Sequence, residues 1–292
     1  MSHPTAEQAR RLPADAASTP NTALLLVGHG SSRAPQARDA TDRLAEAVRK
    51  SGRFAEVRTA FLKQSPSIAE ALATVTAPAV TVVPNFAAEG YFTRSVIPAA
   101  LAEAGFAGSL RQTRAVGAHP RMEDIIRRRA VEALRRSGAA TDAVALLLIG
   151  HGSSRPGGAS AAALALAERL RKGCGCAGVH ACFLEEAPFV ADWPALTPAP
   201  VVIALPLLVA EGLHGSQDLP PLFGLHPAAV TAPDAPPLLG PLHAHGRTVW
   251  YWRGIGSDPD VVSVILSIAD EDAAVSATPA PTAPAPTAPL GR

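Results

Sequence analysis

The sequence predicts an α/β protein of two duplicated lobes, each a four-stranded parallel sheet flanked by helices, with a cleft between the lobes. Three observations predict it. The run LLLVGHGSSR (Leu24 to Arg33) returns as LLLIGHGSSR (Leu146 to Arg155), and roughly 30 of about 78 positions aligned from there without a gap are identical. Short, continuous Leu/Val/Ile runs suit strands buried on both faces, the signature of a parallel sheet. Between these runs lie stretches with helical periodicity.

In the first copy ALLLVG, EVRTAFL, AVTVVPNF and the stretch before Gly117 read as strands. The segments around ATDRLAEAVRK, PSIAEALATV, RSVIPAALAEAG and PRMEDIIRRRAVEALRR read as helices. AFLKQSP pairs with CFLEEAP and VVPNFAAEG with ALPLLVAEG, so the second copy repeats the order. After a shift, RAVGAHPRMEDII resembles RGIGSDPDVVSVI. The extra residues of the second copy, about 224–246, carry prolines, glycines, His226, His243 and His245, and are expected to form a surface loop. The expected organisation is a polar leader over 1–21, lobes over 22–140 and 141–272, and a Pro/Ala-rich disordered tail over 273–292. Arg127, Arg128 and Arg129 are expected on the solvated face of a helix.

Composition excludes several classes. A formal net charge of +1 gives no basic field for nucleic acid or a membrane surface. No apolar run approaches the roughly 18 residues a membrane span needs. The first twenty residues lack the apolar stretch of a signal peptide, so the expected location is the cytoplasm. Cys174, Cys176 and Cys182 make a poor disulfide framework, and without a fourth thiolate they argue against an Fe–S cluster. No phosphate-binding G-x-x-x-x-G-K-[ST] loop is present.

In open parallel sheets functional groups collect where strands end. Three fall there in the second copy: His151 after the first strand, Glu185 after the second and His214 after the third. Two imidazoles and a carboxylate suit Co²⁺ or Fe²⁺ and leave coordination positions open. Glu186 beside Glu185 is an alternative carboxylate. The first copy is an internal control: His29 matches His151, but Lys63 replaces Glu185 and Phe92 replaces His214, so it cannot build the same ligand set. Glu89 and Glu211 match across the copies and are expected to make a loop hydrogen bond; Asp218 is expected to orient His214 or cap the next segment.

The paired GHGSSR segments, FLEEAP and EGLHGSQDLP resemble the class II chelatases, in particular the long, two-repeat CbiX-type sirohydrochlorin cobaltochelatases and their ferrochelatase relatives. The resemblance covers nearly all of residues 22 to 270. It implies the class II chelatase fold, metal binding and catalysis by His151, His214 and Glu185, and ATP-independent insertion of Co²⁺ or Fe²⁺ into a sirohydrochlorin-type macrocycle held between the lobes. Its carboxylates would meet Arg33, Arg94, Arg155, Ser153 and Ser154, with His29 and Tyr91 lining the cleft. Internal duplication lets a monomer supply what a half-length version needs a dimer for. The rival reading is a non-catalytic metal or tetrapyrrole carrier on the same fold. A histidine phosphatase would need an arginine where Gly28 and Gly150 stand.

Overall fold

A computed structural model of the chain describes residues 21–32, 34–152, 159–209, 214–232 and 235–276. The first copy runs β1 (Thr22–Gly28), α1 (Asp39–Lys50), β2 (Glu56–Phe61), α2 (Ile68–Leu72), β3 (Ala79–Pro84), α3 (Ile97–Glu103), β4 (Ser109–Gln112) and α4 (Arg121–Ser137). Its strands form a wholly parallel sheet in the order β2-β1-β3-β4. Local signals agree with the elements they bound. Ser67 and Glu70 close a reciprocal capping box at the start of α2. Gly138, at φ 63°, ends α4 in the left-handed conformation that glycine adopts at least cost.

The second copy runs β5 (Val144–Gly150), α5 (Ala159–Cys174), β6 (Gly178–Phe183), α6 (Trp193–Leu196), β7 (Val201–Pro206), α7 (Leu219–Leu222), α8 (Ala228–Thr231), β8 (Leu238–Ala244), β9 (Arg247–Trp252) and α9 (Val261–Ser276). Its sheet has five strands, in the order β6-β5-β7-β9-β8. The segment expected as a loop over 224–246 is therefore partly regular. It contributes α8 and β8, and β8 pairs antiparallel with β9. The prolines and glycines that suggested a loop are real breaks, but Leu238 faces the central core while Leu239 and Leu242 pack on the outer one; the register shift between Leu239 and Leu242 brackets Gly240-Pro241. The three histidines do not gather. His226 Nδ1 accepts from the Ala228 amide at the start of α8, His243 is exposed on β8, and His245 packs edge-on to Trp193 at 5.3 Å.

Both faces of each central strand are buried, as continuous apolar runs require. Ala23, Leu25 and Val27 face an outer core under α2 and α3. Leu147 and Ile149 face another, built around Trp193, Phe223 and Tyr251. The alternate residues Leu24, Leu26, Leu146 and Leu148 all point into one central core shared by the two sheets. That sharing depends on an exchange of terminal helices. The end helix of the first copy, α4, packs on β7 and β9 of the second; α9 packs on α1 and β3 of the first.

Arg127 and Arg128 of the basic run on α4 are exposed as expected, and the exchange corrects the reading at Arg129. Arg129 is 2% exposed, and its Nε donates to Asp258 Oδ2 at 3.0 Å, just before α9. Its Nη1 donates to the Arg253 carbonyl at 2.7 Å and its guanidinium lies 4.8 Å from the Trp252 ring centre. Arg128 joins it on Asp258 and also pairs with Asp260. Charge counting along a helix misses this because the face expected to meet water meets the other lobe. In the reciprocal position, His119 ahead of α4 holds Glu271 of α9 at 3.1 Å.

Candidate metal centre

Backbone pairing continues one step past the strand ends and fixes the site. β5 and β6 run in register to Gly150 opposite Phe183, and the Glu185 amide then donates to the His151 carbonyl at 3.0 Å. The first copy does the same, with the Lys63 amide on the His29 carbonyl at 2.9 Å. This bond brings the second-strand residue beside the first-strand histidine. In the second copy it sets Glu185 Oε2 3.8 Å from His151 Nδ1, with both side chains about half exposed. In the first it places the exposed Lys63 there instead.

The two adjacent glutamates occupy different places. Glu186 lies under the turn at Gly152 (φ 78°): a Cβ on that glycine would come within 3.0 Å of Glu186 Cγ. Its counterpart Gln64 sits the same way beneath Gly30, and its Oε1 accepts from the Ser31 amide at 2.8 Å. Glu186 is thus packed against the loop, while Glu185 faces the imidazole. His151 Nδ1 is 3.3 Å from the Gly152 carbonyl, as His29 Nδ1 is 2.9 Å from that of Gly30. In both copies this places the Nδ1 edge of the ring at the loop.

A π-helical turn follows the third strand in each copy, Phe92–Val96 and His214–Asp218, so Phe92 and His214 open equivalent turns. In the first copy the Phe92 ring lies 5.0 Å from the His29 ring, edge-on, with Phe86 stacked on it at 6.1 Å. The opening position of the turn therefore adjoins the strand-end histidine. The backbone of His214 holds that position in the second copy; its ring is outside the described residues. Among the described residues no three His, Cys, Asp or Glu side chains group as a metal site.

Other expected residues scatter. Tyr91 is 57% exposed beside Phe92, while His29 is partly buried, edge-on to Phe92 and Phe86. Arg33, Ser153, Ser154, Arg155 and Glu211 lie outside the described residues. Glu89 makes the expected loop bonds, accepting from the Ala115 amide at 2.5 Å and the Thr93 hydroxyl at 2.7 Å. Asp218 makes no side-chain cap bond to the following helix. Burial pushes the Cys182 thiol up to about 12 and, aided by Cys174, that of Cys176 to about 12, so neither is a thiolate at neutral pH.

His151 stands at the wall of a cavity of about 620 Å³ between the lobes. The second copy contributes Gly150, Ala162, Leu166 and Leu207; the first contributes Ala87, Ala118, Met122 and Ile126. Small and aliphatic side chains leave room for a flat apolar body, and charged groups are few. Three of those groups, His119, Glu123 and Arg169, escaped the sequence reading. His119 is 5% exposed and its bond to Glu271 holds that carboxyl below its usual range. Its one sequence signal was the pairing of GAHP with GSDP, which sets His119 opposite Asp258.

Comparison with known proteins agrees with this architecture. The CbiX family model matches residues 23–133 and again 145–272, once per copy. A Halobacterium salinarum protein described as a probable sirohydrochlorin cobaltochelatase is 31% identical over 269 residues, covering 85% of this chain and 90% of the relative. The solved structure of CbiX, described as the terminal enzyme for siroheme biosynthesis in denitrifying bacteria, is 26% identical with a TM-score of 0.61, covering 87% of this chain and 99% of that one. A Deinococcus radiodurans protein described as chelatase-like with two additional domains is 31% identical with a TM-score of 0.60; 85% of this chain covers 54% of it, so the chain spans about half that protein's length. The protein is a two-repeat α/β protein of the class II chelatase architecture. It belongs to the CbiX family.

Proposed function

We propose that the protein is a sirohydrochlorin chelatase that inserts a divalent metal ion without ATP, with Co²⁺ favoured over Fe²⁺. The observation that carries this is Glu185 beside His151, whose ring stands at the wall of the inter-lobe cavity, in the copy whose π-turn opens with His214; Lys63 and Phe92 stand where Glu185 and His214 would be in the other. The Halobacterium relative's description supports cobalt. An imidazole-carboxylate set also binds Co²⁺ more tightly than Fe²⁺.

In this reading the metal is a substrate. His151, held at its Nδ1 edge by the Gly152 carbonyl, offers Nε2; His214 offers the second imidazole and Glu185 the carboxylate. As metal–nitrogen bonds form on one face of the macrocycle, two pyrrole N–H bonds break. Glu185 receives one of the two released protons and, being 47% exposed, passes it to water; the second proton leaves directly to water. The water-excluding aliphatic walls hold the ring plane against the metal.

Sirohydrochlorin mixed with Co²⁺ and catalytic protein is expected to change its absorption spectrum over many turnovers, and Fe²⁺ to do so more slowly. A single stoichiometric shift would identify a carrier instead. His214→Ala is expected to abolish turnover with unchanged circular dichroism; retained turnover would defeat the assignment.

A further inference from the structure

We propose that Arg94 and Arg169, contributed to the inter-lobe cavity by the first and second copies, receive peripheral carboxylates of the macrocycle, and that Glu123 is a built-in competitor for Arg169. The inference rests on the macrocycle reading above and names the feature of the substrate that the cavity selects. Arg94 lies at the middle of the first copy's π-helical segment, is exposed, and has no hydrogen-bonding or charged side-chain partner among the described residues. Arg169 comes from α5 of the second copy, with its side chain 53% exposed. Neither cation is inherited from the duplication: the matching residues are Ser216 and Ala47. Both line a cavity whose other walls are mostly alanine, leucine and isoleucine. Cations at the edge of an apolar slot are complementary to a flat body with anionic substituents.

Glu123, in the first turn of α4, lines the same cavity and accepts from Arg169 Nε at 2.8 Å and from Arg127 Nη2 at 2.6 Å. The Arg169 fork is therefore oriented by a carboxylate before any ligand arrives, with Nη donors left to bind one. A ligand carboxylate must share the guanidinium with Glu123 and bear its charge. That arrangement tolerates a substrate with many carboxylates, where several contacts act together, and disfavours one with few.

The test is binding of metal-free uroporphyrin, with eight carboxylates, and of deuteroporphyrin, with two, followed by fluorescence. Arg169→Gln is expected to weaken uroporphyrin binding about tenfold, the scale of one charge-assisted hydrogen bond, and deuteroporphyrin binding by less. In turnover it should raise KM for sirohydrochlorin and leave kcat within about threefold. Glu123→Gln is expected to tighten uroporphyrin binding, and that gain should vanish in the double variant with Arg169→Gln. Equal gain in both backgrounds would show that Glu123 acts through its general field and would overturn the competitor role. Unchanged binding in both Arg94→Gln and Arg169→Gln would overturn the anchors. Should the binding effects hold while no metal supports turnover, the chelatase reading fails and the anchors stand.

Discussion

At the residue scale the site depends on one backbone hydrogen bond made twice. The amide two residues past β6 reaches the carbonyl of the histidine past β5, and the identity of that residue, Glu185 or Lys63, separates the two copies. Glu185→Gln keeps shape and loses the base, so kcat for metal insertion is expected to fall about 10²-fold or more while macrocycle binding is little changed. Glu186→Gln copies the glutamine at the matching position 64 and should leave kcat within a few-fold, measured in the same assay. Gly152 is a conformational requirement: at φ 78°, with Phe183 Cβ and Glu186 Cγ both 3.0 Å from where a Cβ would sit, Gly152→Ala should cost about 1–3 kcal/mol by urea denaturation.

At the scale of elements, the helices at the ends of the two copies determine how the lobes join. The Arg129–Asp258 pair is buried on both sides, and Arg128 also holds Asp258, so it is removal of Asp258 that leaves the buried Arg129 guanidinium without its carboxylate in a low-dielectric core. Asp258→Asn is expected to lower stability by about 3–5 kcal/mol, seen in thermal and urea unfolding. The duplication, the parallel strands and the strand-end residues were all legible in the sequence, because repeated motifs and continuous apolar runs are local signals. Helix exchange is not local. PRMEDIIRRRAVEALRR reads as an amphipathic helix whichever sheet it covers, and only packing shows that Arg129 faces the other copy's Asp258. Strand β8 was hidden for a related reason. Its Gly240-Pro241 break breaks the period that marks a strand, and pairing with β9 supplies the hydrogen bonds that the local sequence does not advertise.

At the scale of the whole molecule, the two copies form three cores, the central one common to both sheets. Residues 22–140 expressed alone would carry α4 without β7 and β9, leaving its apolar face exposed. Such a fragment is expected to aggregate, or to fold only when mixed with the second half, as size-exclusion chromatography would show. Among the described residues no helix is long and apolar enough to cross a membrane. Acid should loosen the assembly. The carboxyls of Glu271 and Glu56 are held below their usual range by hydrogen bonds, chiefly from His119 and Thr76 respectively. A depressed folded-state value means the stabilisation is complete above the ordinary carboxylate range and is lost as pH falls through the lowered values. Stability measured by denaturant should therefore be level near neutrality and decline below about pH 4.

X-ray absorption of the Co²⁺-loaded protein, without macrocycle, tests the proposed centre most directly. One Co²⁺ per chain with two imidazoles in its shell is expected. One imidazole should disappear in His151→Ala and one in His214→Ala, with no change in His29→Ala. Two imidazoles persisting in either of the first two variants, or a shell that changes with His29, would contradict a single metal centre in the second copy.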